Sequence, residues 1–76
     1  MLKNEEDLLR RIEISPKKML GKPVIKGTRI PVYLILELLA ARMSFEDIKE
    51  EYPNLTDDDI RAALIYAKRL LEGEEY

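Results

Sequence analysis

Two groupings in this sequence carry enough like charge to do chemistry. One is the run of carboxylates Asp57, Asp58 and Asp59. The other is Lys17, Lys18, Lys22, Lys26 and Arg29, five cations in the acid-free stretch from Ser15 to Pro31. Three consecutive residues on a helix point about 100° apart, so the aspartates cannot converge on one metal ion. Acids at that place suit a helix start, where the backbone dipole is positive. The chain has no His and no Cys, so it lacks the commonest general base, a thiol nucleophile and thiolate zinc ligands. Gly21 and Gly27 do not have the spacing of a phosphate-binding loop, and no lysine follows the second glycine. We therefore expect no enzymatic activity, no metal and no cofactor. The expected mode of action is binding.

Five cations so close together repel one another unless something anionic lies near. That anion is the chain's own acidic part, a partner protein or a phosphate backbone. Residues 1–31 hold eight Lys/Arg against four acids, and residues 32–76 hold five against eleven, within an overall charge of −2. The plain alternative is a solvated surface that keeps the protein dispersed.

The elements that position these groups are short. Asn4 can cap a helix whose first turn holds Glu5, Glu6 and Asp7, with Leu8, Leu9 and Ile12 on its apolar side. Arg11 to Ile14 alternates as a strand does, and Pro16 ends it. Val24 to Ile30 reads as a hairpin turning at Lys26-Gly27, with Lys26 and Arg29 near the tip of a basic ribbon. Pro31 should stop the ladder and occupy the first position of the next helix, Val32–Arg42. That helix is apolar almost all round, with only Tyr33 and Glu37 polar on one side before Arg42. Such a helix is buried on more than one side, and a chain of 76 residues has little with which to cover it. Self-association or a protein partner follows as an expectation, with Tyr33, Leu34, Glu37 and Leu38 as contact residues.

Ser44 precedes Asp47, and Thr56 precedes Asp59, by three residues. Both pairs fit a capping box, although Asp reaches less far than Glu or Gln. Met43 with Ile48 and Leu55 with Ile60 have the spacing of hydrophobic staples. These signals start helices at Phe45 and Asp57. Pro53 ends the first after Tyr52, and Gly73 caps the second after Glu72. Ile60, Ala63, Leu64, Ala67 and Leu70 or Leu71 form the expected core stripe of the last helix. Ile65 lies off it, beside Ala62 and Arg69, so Ile65 and Arg69 join the contact candidates.

The expected fold is a single, mainly α domain over residues 1–76. It comprises a β-ribbon region (12–31), a three-helix unit (32–72) of helix-turn-helix type, and a frayed tail (73–76). A helix-turn-helix reads DNA with the first turns of its second helix. Here those turns carry three aspartates, which a phosphate lattice repels. The ribbon is the better nucleic-acid candidate, through Lys17, Lys18, Lys22, Lys26 and Arg29, with Arg61 on phosphate. It has no aromatic residue for base stacking, which argues against single-stranded RNA. The longest apolar stretch, Val32 to Ala41, is broken by Glu37 and too short to span a bilayer. The acidic N-terminal helix pattern is unlike a secretory signal. A cytoplasmic protein with no membrane association is expected.

Gly21-Lys22-Pro23-Val24-Ile25-Lys26-Gly27-Thr28-Arg29-Ile30-Pro31-Val32, then an apolar helix, then Tyr52-Pro53-x-Leu55-Thr56 and Ile60-Arg61-x-Ala63-Leu64, resembles the prokaryotic family called domain of unknown function 433. The resemblance covers roughly residues 12–71. It implies a winged-helix-like or homeodomain-like helical domain and an antitoxin role: binding and silencing a PIN-like ribonuclease toxin, with possible repression of its own operon through operator DNA. The family has no established catalytic residues to carry over. The expectation is thus a homodimeric antitoxin. The alternatives are a stand-alone helix-turn-helix transcriptional regulator and an interaction module with no nuclease partner.

Overall fold

The structure, a computed structural model, describes residues 4–73. The tail expected to fray lies outside them from Glu74 onward. Four helices surround a two-stranded antiparallel ribbon: α1 (Glu5–Leu9), β1 (Ile12–Glu13), β2 (Val24–Ile25), α2 (Val32–Ala40), α3 (Phe45–Glu51) and α4 (Asp57–Glu72). A short 3-10 turn over Met19–Gly21 lies between the strands. The mainly helical architecture agrees with expectation, and the N-terminal helix expected from the Asn4 cap is present beside the three later ones. The N-terminal α1 packs on α4.

The capping signals hold at atomic level. Asn4 Oδ1 accepts from Asp7 N–H at 2.9 Å. Ser44 and Asp47 exchange both capping-box bonds, at 2.9 and 3.0 Å. Thr56 and Asp59 do the same at 3.0 and 3.2 Å. Asp is therefore long enough to close the box. The staples continue inward, because Ile48, Leu55 and Ile60 belong to the core cluster together with Ile25, Val32, Ile35 and Ala63. Each helix start thus places an isoleucine at the centre of the molecule.

The expected hairpin forms and β1 joins it. The return segment is held to β2 by Ile25 N–H to Ile30 O and Val32 N–H to Pro23 O, both at 2.9 Å. Its one bridge is Val24 to Pro31, so Pro31 takes part in the pairing it was expected to stop. β1 pairs with β2 in the register Ile12 to Ile25 and Glu13 to Val24. Thr28 keeps the return side short: its hydroxyl donates to Ile25 O at 2.7 Å and accepts from Ile30 N–H at 3.0 Å, consuming groups a longer ladder would need. The Lys26-Gly27 turn itself is as read: Thr28 N–H donates to Ile25 O at 3.0 Å, and Gly27 supplies a φ of +80°. Pro31 sits one place earlier than expected, as the N-cap of α2.

α2 ends at Ala40 rather than Arg42. Arg42 N–H donates to Leu39 O and Met43 N–H to Leu38 O, a Schellman closure. Arg42 itself takes the left-handed backbone (φ 71) usually given to glycine. Met19 and Leu20 are also left-handed, at φ 49 and 56. Each such residue costs roughly 1–2 kcal/mol.

Two burial expectations change. The core stripe of α4 holds only near its start, where Asp59, Ile60, Ala62 and Ala63 are buried. Leu64, Leu70 and Leu71 are exposed. α1 meets the far end of α4 through Glu5 and Glu6 to Lys68 and Arg69, on a face that leaves these leucines uncovered. α2 buries Val32 and Ile35, packs Leu36, Leu38 and Leu39 partly against the core, and leaves Tyr33, Glu37 and Ala40 exposed. Its apolar girth exceeds what the described chain covers.

Candidate functional site

The turn Lys26-Gly27-Thr28-Arg29 is the most rigidly presented cationic feature. The two Thr28 side-chain bonds brace it from within. Lys26 N–H anchors it to Arg11 O at 2.7 Å, and Ile25 N–H to Ile30 O at 2.9 Å. Lys26 and Arg29 bracket the turn, are exposed, and form no ion pair among the described residues. Their charge is therefore available to an outside anion.

The remaining members of the predicted cationic set are dispersed. Lys17 is exposed in the preceding loop without an ion pair among the described residues. Lys18 is committed within the chain, its Nζ 3.2 Å from Glu13 Oε1. That hydrogen bond holds the Glu13 carboxyl below its ordinary value. The Lys22 ammonium lies 5.1 Å from the centre of the Tyr33 ring, a cation–π contact. Arg61 belongs to α4 and is held by Asp58 at 3.5 Å, so it is no part of the ribbon.

The three aspartates serve the fold. Asp57 Oδ1 meets Lys49 Nζ at 2.8 Å, which ties α4 to α3. Asp59 Oδ1 accepts from an Arg11 Nη at 3.1 Å, and Asp58 Oδ2 lies 3.6 Å from the other, which ties α4 to the entry of β1. Asp58 and Asp59 share the Arg11 guanidinium, while Asp57 turns away to Lys49. The Arg11–Asp59 link spans 48 residues and has no signature in spacing.

Among the predicted contact residues, Arg69 is occupied inside the chain. Its Nε donates to Glu5 Oε1 and an Nη to Glu6 Oε1, both at 2.9 Å. Lys68 Nζ donates to Glu5 Oε2 at 2.6 Å. These bonds bind α1 to α4, and they remove Arg69 from the set free to meet a partner. Leu38 packs partly against the core, while Leu34 and Ile65 are half-buried. Tyr33 and Glu37 remain exposed, as expected.

The Lys68 and Arg69 hydrogen bonds hold the Glu5 carboxyl below its ordinary 4.5. The Ser44 backbone N–H and then its hydroxyl do the same for Asp47. A carboxylate whose folded pKa is depressed stabilises the fold above its unfolded value and loses that contribution as pH falls through the folded one. Melting temperature is thus expected to hold level from pH 7 to about 5 and to fall below pH about 4.5. Glu5→Gln should lower the plateau and flatten the acid limb. An unchanged acid limb in that variant would show that the α1–α4 pairs contribute nothing. The pairs are exposed, so added salt should also weaken them.

Sequence reasoning missed an apolar groove of about 430 Å³ where α2 and the second half of α4 diverge. Pro23, Tyr33, Leu36, Tyr66 and Leu70 line it, with Lys22 beside them. The spacing of Tyr33 to Leu36 and of Tyr66 to Leu70 places each pair on one helix face, a signal that was available. The same spacing fits the expected core stripe, in which Leu70 or Leu71 is the last member, and so hides the groove.

The chain matches the family described as Protein of unknown function (DUF433) over residues 12–67. It is 42% identical over 66 residues to a protein printed as "Uncharacterized protein y4eO", from Sinorhizobium fredii (strain NBRC 101917 / NGR234). That alignment takes in 83% of this chain but 30% of the relative, so the chain spans less than a third of the relative's length. It also resembles the crystal structure of a DUF433 member protein from Anabaena variabilis ATCC 29413, with a TM-score of 0.77 and 30% identity, covering 88% of this chain and 66% of that one. The matched span opens at β1 and runs through the braced turn, the groove-lining helix α2 and the twice-capped α3–α4 unit; on these grounds the chain belongs to the DUF433 family.

Proposed function

We propose that this protein acts by covering another macromolecule, as an antitoxin-like partner that binds and silences a PIN-like ribonuclease. The observation that carries this reading is the braced turn. Lys26 and Arg29 are held on a braced tip and form no ion pair among the described residues; Glu13 feels the Lys26 charge but is itself bonded to Lys18. A nuclease metal site is a cluster of carboxylates, and an arginine on a braced turn meets one with little loss of backbone freedom. The fold supplies a scaffold for this contact and no His or Cys for bond-breaking chemistry.

The test is co-expression with the product of the adjacent reading frame, followed by pull-down and a ribonuclease assay. A stable complex with suppressed cleavage is expected. Arg29→Glu should weaken the complex by about 2–5 kcal/mol, roughly 30-fold or more, and restore cleavage. No complex with the neighbouring product, or an Arg29→Glu variant that inhibits normally, would remove the reading.

A second reading is favoured by the same exposed cations: a DNA-binding regulator, with α3 and α4 as a helix-turn-helix and the tip on phosphates. Asp57, Asp58 and Asp59 are already paired to Lys49, Arg11 and Arg61. The start of α4 is thereby less repulsive to DNA, but its side chains are not free to read bases. This reading expects promoter binding that falls steeply with salt, and uniformly weaker binding by Lys26→Glu across all sequences.

A further inference from the structure

We propose that two copies of this chain pair about a two-fold axis by reciprocal exchange, each seating its Leu20 in the α2–α4 groove of the other. Leu20 is 93% exposed, on a turn closed by Gly21 N–H to Lys18 O at 3.0 Å and Lys22 N–H to Met19 O at 3.1 Å. Met19 and Leu20 both hold the left-handed backbone there, and nothing within the described chain receives the leucine side chain. A strained turn that thrusts a leucine into water is a feature that gains only on contact with something apolar.

The groove is that something, and its position favours a second copy over a foreign protein. Leu20 stands two residues before Lys22, which lines the groove, so knob and groove lie within about 7 Å along the backbone. A two-fold interface needs knob and hole on one patch near the axis, since each must meet the other's counterpart. Charge agrees. Lys17 precedes the knob, exposed and without an ion pair among the described residues. Glu37 flanks the groove, four residues after Tyr33 on the same face of α2; it is exposed and has no ion pair among the described residues. Exchange brings the cation of one copy toward this acid of the other. The arrangement also covers part of the surplus apolar surface of α2. It uses neither Lys26 nor Arg29, so it stands or falls separately from the proposed function.

Light scattering and sedimentation equilibrium on the full chain test the pairing. The expected result is a species of twice the 8.9 kDa chain mass. Leu20→Asp should raise its dissociation constant about 100-fold or more, since each half of the exchange loses a buried leucine. The urea midpoint of the dissociated chain should stay unchanged, because Leu20 packs against nothing within it. Leu70→Glu, on the groove side, should give a comparable loss, and Lys17→Glu combined with Glu37→Lys should recover affinity that either change alone reduces. A monomer at all accessible concentrations would overturn the pairing. A dimer indifferent to Leu20→Asp would overturn the exchange, even if Leu70→Glu disrupted it, because the groove would then hold something other than the leucine.

Discussion

Ile60→Ala is expected to lower unfolding free energy by about 2–5 kcal/mol, the cost of a large-to-small change where the site cannot collapse. A domain of this size holds only about 4–11 kcal/mol in total, so the variant should be near the edge of unfolding. The effect is large because Ile60 joins several roles. It has no exposed surface, and it belongs to one cluster with Ile25 of β2, Ile35 of α2 and Ile48 of α3. It is also the inner half of the staple whose outer half is Leu55. Removing its side chain opens a cavity where four elements meet. Ile60→Val, which keeps most of the volume, should cost about 1 kcal/mol. Urea titration followed by circular dichroism measures both. A midpoint for Ile60→Ala close to wild type would mean that the core does not meet at this residue.

The second large effect concerns Arg11 and Asp59. The Asp59 side chain is 10% exposed, and its two oxygens accept from Arg11 and from the Thr56 N–H. Arg11→Met strands a carboxylate that has little water to fall back on. Breaking a buried pair from one side costs about 3–5 kcal/mol, and the one-third exposure of Arg11 brings the expectation to about 2–4 kcal/mol. Asp59→Ala loses the capping-box reciprocity as well as the pair. The double variant should be milder than the sum, with a coupling of about 1–3 kcal/mol, because the stranded charge is gone. Additivity within experimental error would show that the two groups do not act together. A related expectation is that Arg11→Met loosens the entry of β1 against α4, visible as faster amide exchange at Lys26, whose N–H donates to Arg11 O.

The local structure was legible from neighbours in sequence. The starts of α3 and α4 follow from hydroxyl-to-acid spacing, because a capping box is a contact between residues three apart. The positive φ of Gly27 follows from a four-residue turn. What failed did so where the outcome depended on residues far away. Leu64 and Leu70 have the period of a core stripe, yet they are exposed because the elements packed on α4 leave them uncovered. Arg69 has the look of a contact residue, yet Glu5 and Glu6 reach it from the other end of the chain. The expected hairpin turn closes as read, but β1 joins β2 from another part of the chain, and the Thr28 hydroxyl takes Ile30 N–H and so keeps the return side short.

By itself, then, the sequence determined the starts of α3 and α4, the Lys26-Gly27 turn and the absence of His and Cys, all of which rest on residue chemistry and short-range geometry. Tertiary structure alone decided which cations are spent within the chain and which are left for an anion outside it. It also decided that α2 and α4 part to leave a groove with an exposed leucine nearby. Periodicity sets which face of a helix is apolar, but only the lengths and packing of the neighbouring elements decide how much of that face is covered.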